Sequence, residues 1–203
     1  MAASYSVREA GRSDVRGIAD SLCAAFFDDP VAAFIFSSDR FRRAGLTKFF
    51  TALLAGYGYM DHGEVWTTDD YTGAAIWMPP PGKAHASLSE LLKLLPVVPY
   101  ALSRNSIKVL KLLAKIEASK PREEHWYLST LGVIPGLQGH GIGSSLLRPV
   151  LEKCDDTGMP AYLESSKERN IPFYRSHGFE VVRELSVGSG TPSVWPMIRK
   201  PLS

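Results

Sequence analysis

The chain has 203 residues, 45% hydrophobic and 22% charged. That is the balance of an ordinary soluble globular protein, long enough to bury a core without metal or disulfide staples. A net charge of +2 is too small to argue for a nucleic-acid partner.

In chain order, the alternation of "YSVREA" predicts a strand. Ser13 or Asp14 is placed to cap a helix over "DVRGIADSLCAAFF", whose apolar residues recur at helical spacing. Asp28-Asp29-Pro30 stops it. A second helix is expected over "DRFRRAGLTKFFTALLAGY", capped by Asp39. "GEVWTTDD" and "GAAIWMP" read as an antiparallel hairpin, ended by three prolines. Residues at about 82–120 differ in character, with clustered leucines and lysines, and predict two or three helices. The last of these, "SIKVLKLLAKIEA", has two readings. It is a basic amphipathic helix for a membrane or partner, or it packs Val109, Leu112, Leu113 and Ile116 on its own domain and exposes its lysines.

Beyond Pro121 the order is a strand "EHWYLSTLGV", a glycine loop, a helix "GSSLLRPVLEKCDDTG", a strand "AYLESS", a short helix "NIPFYRSHG" and two strands, "FEVVREL" and "SVWPMIRKP". Strand, loop, helix and strand make a βαβ unit, which requires two parallel strands. Together with the hairpins this predicts an α/β fold with a mixed sheet and helices on both faces. The two cysteines, Cys23 and Cys154, stand in no redox or metal spacing. The histidines form no metal spacing either, so no metal is expected. The start of the sequence has no secretory pattern, and Gly, Pro or charge interrupts each apolar run. A cytoplasmic protein without a membrane partner is the expectation.

The loop Gln138-Gly139-His140-Gly141-Ile142-Gly143 carries the chemistry. Free N–H groups at the start of a helix, with its macrodipole, favour an anion, and glycines let the backbone come close to one. No Gly-Lys-Ser/Thr follows, so it is not a P-loop. Counting from Gly139 or Gly141, the third glycine of a dinucleotide fingerprint is Ser144 or Leu146 instead. A tight structural turn is the other reading.

The loop together with "AYLESSKERNIPFYRSHGFEVV" resembles the GCN5-related N-acetyltransferases, the GNAT superfamily. The likeness spans essentially the whole chain. Through "RNIPFYRSHGF" and "VWPMIRKP" it looks most similar to the puromycin N-acetyltransferase-like members. The resemblance implies a single domain over residues 1–203, with an insertion at about 82–120 that forms part of an acceptor pocket, and a splayed parallel strand pair. It implies acetyl-CoA as cosubstrate. The backbone of Leu131, Gly132 and Val133 would pair with the pantetheine arm. Gln138, Gly139, His140, Gly141, Ile142, Gly143 and Ser144 would form the pyrophosphate loop, with Asn170 and Phe173 against the arm. Asn170 also fits a helix cap before Ile171-Pro172. His140 stands where the family's loop usually carries Lys or Arg, and either tunes coenzyme binding with pH or is merely exposed.

The implied reaction is transfer of acetyl to a primary amine. A backbone N–H near Val133 would hold the oxyanion. Tyr174 is the candidate general acid for the departing thiolate, and is otherwise a core Tyr. Glu164 would take the amine's proton or hold the ammonium, and is otherwise a carboxylate satisfied by backbone. Asp28 and Asp29 are further candidates for binding the amine. A small-molecule amine is the expected acceptor, and the enzyme a monomer or homodimer. A protein lysine or N-terminal acetyltransferase and a catalytically silent acyl-CoA-binding module are the alternatives.

Overall fold

Apolar alternation along the strands builds one mixed sheet with helices on both faces. The computed structural model describes residues 5–56, 59–80, 92, 94–101 and 105–202. The described strands are β1 (Val7–Glu9), β2 (Glu64–Thr68), β3 (Gly73–Met78), β4 (Trp126–Val133), β5 (Ala161–Ser165), β6 (Glu180–Val181) and β7 (Trp195–Arg199). They lie in the order β1-β2-β3-β4-β5-β7-β6. Only β4 and β5 pair in parallel among them.

β3 shows why the sheet needs two helical layers. Its residues are all buried, and they alternate between two cores. Ala74, Ile76 and Met78 join Ile18, Leu22, Leu46 and Phe50. These come from α1 (Val15–Phe26) and α3 (Asp39–Thr51). Ala75 and Trp77 join Leu146, Leu147, Val150 and Cys154. Those belong to α7 (Ile142–Thr157), which ends at Gly158 in the left-handed region, as a helix stop requires. A strand covered on both faces reads as a continuous apolar run, and "GAAIWM" does.

Several helix ends differ from the sequence reading. Asp14 precedes α1, but its side chain does not cap it. The carboxylate turns instead to Arg8, the Gly11 N–H and the Tyr71 hydroxyl. The bonds from Arg8, Gly11 and Tyr71 hold its pKa well below the usual carboxylate range. At α3, Ser38 rather than Asp39 takes the cap position, and past Thr51 the helix loosens into a π turn over Ala52–Gly56. A short α2 (Pro30–Ile35) was not foreseen. Asp29, taken as part of a helix stop, caps it by accepting from the Val31 and Ala32 N–H groups at 2.9 and 3.0 Å, with Pro30 in the first turn. Short helices α4 (Tyr59–His62) and α5 (Val98–Ala101) follow.

In the insertion, α6 (Ser106–Glu117) matches the predicted last helix. The expected helical stretch at 81–91 lies outside the described residues. α6 buries Val109 and Leu112 and half-buries Ile116, whereas Leu113 is 45% exposed and does not join the expected face. Leu112 packs with Leu185, Val194, and Val31 and Phe34 of α2. Lys108 and Lys115 donate to the Ser189 and Ser186 carbonyls. Packing on its own domain is what the helix does. The predicted strand "FEVVREL" shortens to β6 and one isolated bridge, Leu185 to Val194. No helix among the described residues is long and apolar enough to cross a membrane.

The feature that shapes the site is a slip in β4. Ile76 faces Thr130 and Trp77 faces Leu128, so Ser129 is an extra residue, a β-bulge. Before it, Trp126 and Leu128 face the α7 core; after it, Leu131 and Val133 do. Pairing with β5 stops at the same place, at Leu128 and Leu163.

On the far side of the sheet, Arg199 is buried and clamps Asp155 of α7 through two bonds of 2.8 and 2.7 Å. Asp155→Ala strands that guanidinium without its partner, and chemical denaturation is expected to record a loss of about 3 kcal/mol.

Candidate active site

Where β4 and β5 part, a cavity of about 450 Å³ opens. Its walls come from both strands, the end of α1, the glycine loop and α8 (Ile171–Arg175). The β4 edge facing it is not spent on β5. The Ile134 N–H donates to the Thr72 carbonyl across the β3 pairing, and antiparallel hydrogen bonds alternate. Gly132 therefore directs its peptide groups to β3, while those of Leu131 and Val133 point to the open edge. The Val133 carbonyl is already met there by the Gln138 side-chain amide, at 3.0 Å. Gly132 has a separate task, since a Cβ on it would come within 2.8 Å of Leu22 in α1.

The glycine loop turns directly into α7. Gly141 takes φ +90° at the helix start, a left-handed conformation costly for any residue with a Cβ. Gly143 lets the Phe173 ring approach, because a Cβ would stand 3.1 Å from it. Gln138, Gly139, Gly141, Ile142, Gly143 and Ser144 all line the cavity with Leu131, Gly132, Val133, Asn170 and Phe173. His140 alone of the predicted loop residues does not line it. It is exposed, with its ring Nδ1 3.1 Å from the Gln138 carbonyl oxygen. Asn170 occupies the cap position of α8 but makes no side-chain cap bond, which leaves its amide to the cavity.

Two ionisable groups face the cavity from β5 and α8. Tyr174 is buried, its ring packed edge-on against Phe173 and Phe179. Burial, with Asp29 nearby, pushes its pKa up, so the phenol keeps its proton. Glu164 is held by the Tyr127 hydroxyl, which donates to Oε2 at 2.9 Å. Its other oxygen, Oε1, is buried with no hydrogen-bond partner among the described residues. Burial raises the Glu164 pKa to about 7, against the lowering effect of the Tyr127 bond. A carboxylate satisfied by backbone, the bland reading, is not what the structure contains.

The two aspartates are differently employed than expected. Asp28 is paired with Lys167 at 2.6 Å and Arg169 at 3.3 Å and does not line the cavity. Asp29 does line it, but Oδ1 caps α2 and Oδ2 takes the Ser166 hydroxyl. Both carboxylates already have partners within the chain. Among the described residues no group of three His, Cys, Asp or Glu side chains could hold a metal.

The sequence of the acetyltransferase (GNAT) family matches residues 102–179. An uncharacterised N-acetyltransferase of Schizosaccharomyces pombe is 32% identical over 177 residues, spanning 82% of this chain and 70% of its own. The chain belongs to the GNAT family. GNAT structures share its fold. One is a Corynebacterium glutamicum protein described as histone acetyltransferase HPA2 and related acetyltransferase, with TM-score 0.73, 24% identity and 99% and 98% of the two chains covered. Another is mosquito arylalkylamine N-acetyltransferase like 5b, with TM-score 0.62, 15% identity and 96% and 99% covered. This GNAT is thus an acetyltransferase with a seven-stranded mixed sheet among its described residues.

Sequence reasoning missed Ser129, Ser165, Ser166, Lys167, Arg169 and the α1 residues Ala25 and Phe26 in this GNAT cavity. It also missed Tyr127. The β4–β5 register places Tyr127 beside Tyr162, two residues before Glu164, and that register was the signal that could have found it.

Glu164 also carries a stability consequence. The folded protein binds its proton more tightly than the unfolded chain does, so its contribution is full below about pH 4.5 and is lost as pH rises through about 7. Glu164→Gln escapes that loss. Thermal melts should show the variant gaining on the parent at about pH 8 and gaining much less at about pH 5.

Proposed function

We propose that this GNAT, acting as one domain, transfers acetyl from acetyl-CoA to the primary amine of a small molecule, with Tyr174 as general acid and Glu164 as base. The observation that carries the reading is the pairing of these two groups on one cavity, the phenol protonated and Glu164 with one oxygen uncommitted. The residues also fit the cosubstrate. The open Leu131 and Val133 edge is suited to the amides of pantetheine, and the turn from Gly139 to Ser144 presents a helix start to pyrophosphate. When bound, acetyl-CoA supplies a thioester carbonyl and a thiol leaving group.

The chain's own groups then divide the work. Glu164 near pKa 7 accepts the amine's proton at Oε1. An N–H of the open β4 edge near Val133 donates to the carbonyl oxygen as charge develops there. Tyr174 donates its proton to sulfur as the C–S bond breaks, and the second proton of the attacking nitrogen, released as the amide forms, restores the phenol. Asn170 and Phe173 hold the arm from the α8 side. The likeness of "RNIPFYRSHGF" to puromycin N-acetyltransferase-like members and the arylalkylamine enzyme among the fold neighbours both support a small-molecule acceptor.

Release of coenzyme A with an amine panel tests this. Tyr174→Phe is expected to lower kcat at least ~100-fold and leave the KM for acetyl-CoA within about twofold, the size of a general-acid contribution. The parent kcat/KM should climb with pH to a plateau above about 7, and Glu164→Gln should flatten that rise. Peptides as the sole acceptors would mark a protein acetyltransferase instead. Tight acetyl-CoA binding without turnover on any amine would mark a silent acyl-CoA-binding module.

A further inference from the structure

The back of Glu164, away from the cavity, is unusually built. Tyr127 donates to Oε2 at 2.9 Å. Lys120 sits with its Nζ 4.5 Å from the centroid of that same Tyr127 ring, and its Nζ pairs with Glu117 at 2.7 Å. Tyr162, on β5 two residues before Glu164, is within hydrogen-bond distance of Ser119, at 3.0 Å between the oxygens. The Ser119 hydroxyl in turn lies 2.6 Å from the Ile116 carbonyl. The Tyr127 and Tyr162 rings lean on each other at 6.1 Å. Ser119 and Lys120 follow Ala118, the C-cap of α6, at the end of the insertion. One short segment outside the cavity walls thus braces both tyrosines that flank the carboxylate.

We propose that Ser119 and Lys120, acting through Tyr162 and Tyr127, are positioning residues that fix Glu164 with Oε1 turned to the acceptor amine. The inference rests on Glu164 serving as the base. It gives the insertion a role in the chemistry although none of its described residues lines the cavity, where the sequence suggests an acceptor wall.

The physical argument is one of options removed. A glutamate has three side-chain torsions, and a carboxylate without a fixed partner would exchange its oxygens freely. The Tyr127 bond fixes Oε2, and Oε1, buried in the neighbourhood of the Tyr162 hydroxyl, is the oxygen without a partner of hydrogen-bond geometry among the described residues. A buried oxygen without a partner is costly, and an ammonium is the group that best relieves it. The acceptor this selects is one that arrives as a cation and loses its proton to Oε1 in place. Tyr127 can hold Oε2 only while its own ring is held, and Lys120 covers that ring.

The charged and titratable groups around Glu164 are few. Tyr127 faces it from β4 and Tyr162 from its own strand, while Lys120 favours its ionised form and Glu117 opposes it from the insertion. Tyr59 acts on Tyr127 from α4, and Arg183 and His125 lie by Tyr162. Across the cavity, Lys167 and Asp29 are committed to Asp28 and Ser166. Of these, Lys120 is the one cation that also touches a tyrosine bonded to the base.

The test is the pH profile of kcat/KM with the best amine of the panel. Tyr127→Phe removes a donor to the ionised carboxylate, so the pH limb should move up by about one unit. Lys120→Met should move it the same way by less, and Lys120→Arg should restore the parent position. The KM for acetyl-CoA should stay within about twofold in all three, because none of these side chains lines the cavity. An unmoved limb in both Tyr127→Phe and Lys120→Met, in folded variants with parent-like circular dichroism, overturns the proposal. A limb that persists in Glu164→Gln defeats the base assignment itself, and the two failures are separate. Should Tyr127→Phe not fold, the Lys120 pair decides alone.

Discussion

One extra residue in β4, Ser129, forces two parallel strands apart after three paired positions, and the site follows from that separation. Without the bulge, β4 would continue its ladder with β5, and the peptide groups of Leu131 and Val133 would be spent on it. With it, a strand edge lies open inside a folded protein. An exposed edge is ordinarily a hazard, because it invites pairing with another chain. Here it faces a cavity lined by the end of α1, the glycine loop at the start of α7, and α8. The bulge also keeps the residues on either side of it, Leu128 and Leu131, facing the same core, so the sheet packs without a polar gap.

The same parting decides which ionisable groups meet. β5 ends its pairing with β4 at Leu163, so Glu164, still paired with Pro196 of β7, is the first residue of that strand whose β4 side is free. Its neighbours on the far side are tyrosines and a lysine, none of which supplies a full hydrogen-bond shell. That half-satisfied state is a cost to the fold and a source of reactivity, since the energy lost by a buried carboxylate reappears as basicity near neutral pH. Tyr174 shows the same effect of burial on a phenol, which is driven to remain protonated. One buried setting thus shifts a carboxyl and a phenol alike towards their protonated forms.

Most of the element order was legible because apolar periodicity reports which face is buried. The "GAAIWM" strand, the helix from Ile142 and the parallel pairing of β4 with β5 all follow from it. The glycine loop and the "NIPFYRSHG" segment were legible as a pair through their resemblance to the GNAT family. What was not legible depends on register or on competition between partners. Nothing in "WYLSTLGV" marks Ser129 as the bulged residue. Tyr127 reaches Glu164 only because the two strands align as they do. Asp28 and Asp29 read as spare carboxylates, and long-range partners at Ser166, Lys167 and Arg169 take them. The six residues of α2 were hidden by the same misreading.

That short helix has an effect out of proportion to its length. Six residues cannot sustain a helix by their own hydrogen bonds. α2 is therefore anchored at its two ends, by Asp29 at its start and by Val31 and Phe34 against Leu112 of α6. Asp29 also grips Ser166 beside Tyr174. One short helix thus ties Leu112 of the insertion, through Val31 and Phe34, to Ser166 in the cavity wall, through Asp29 at its cap.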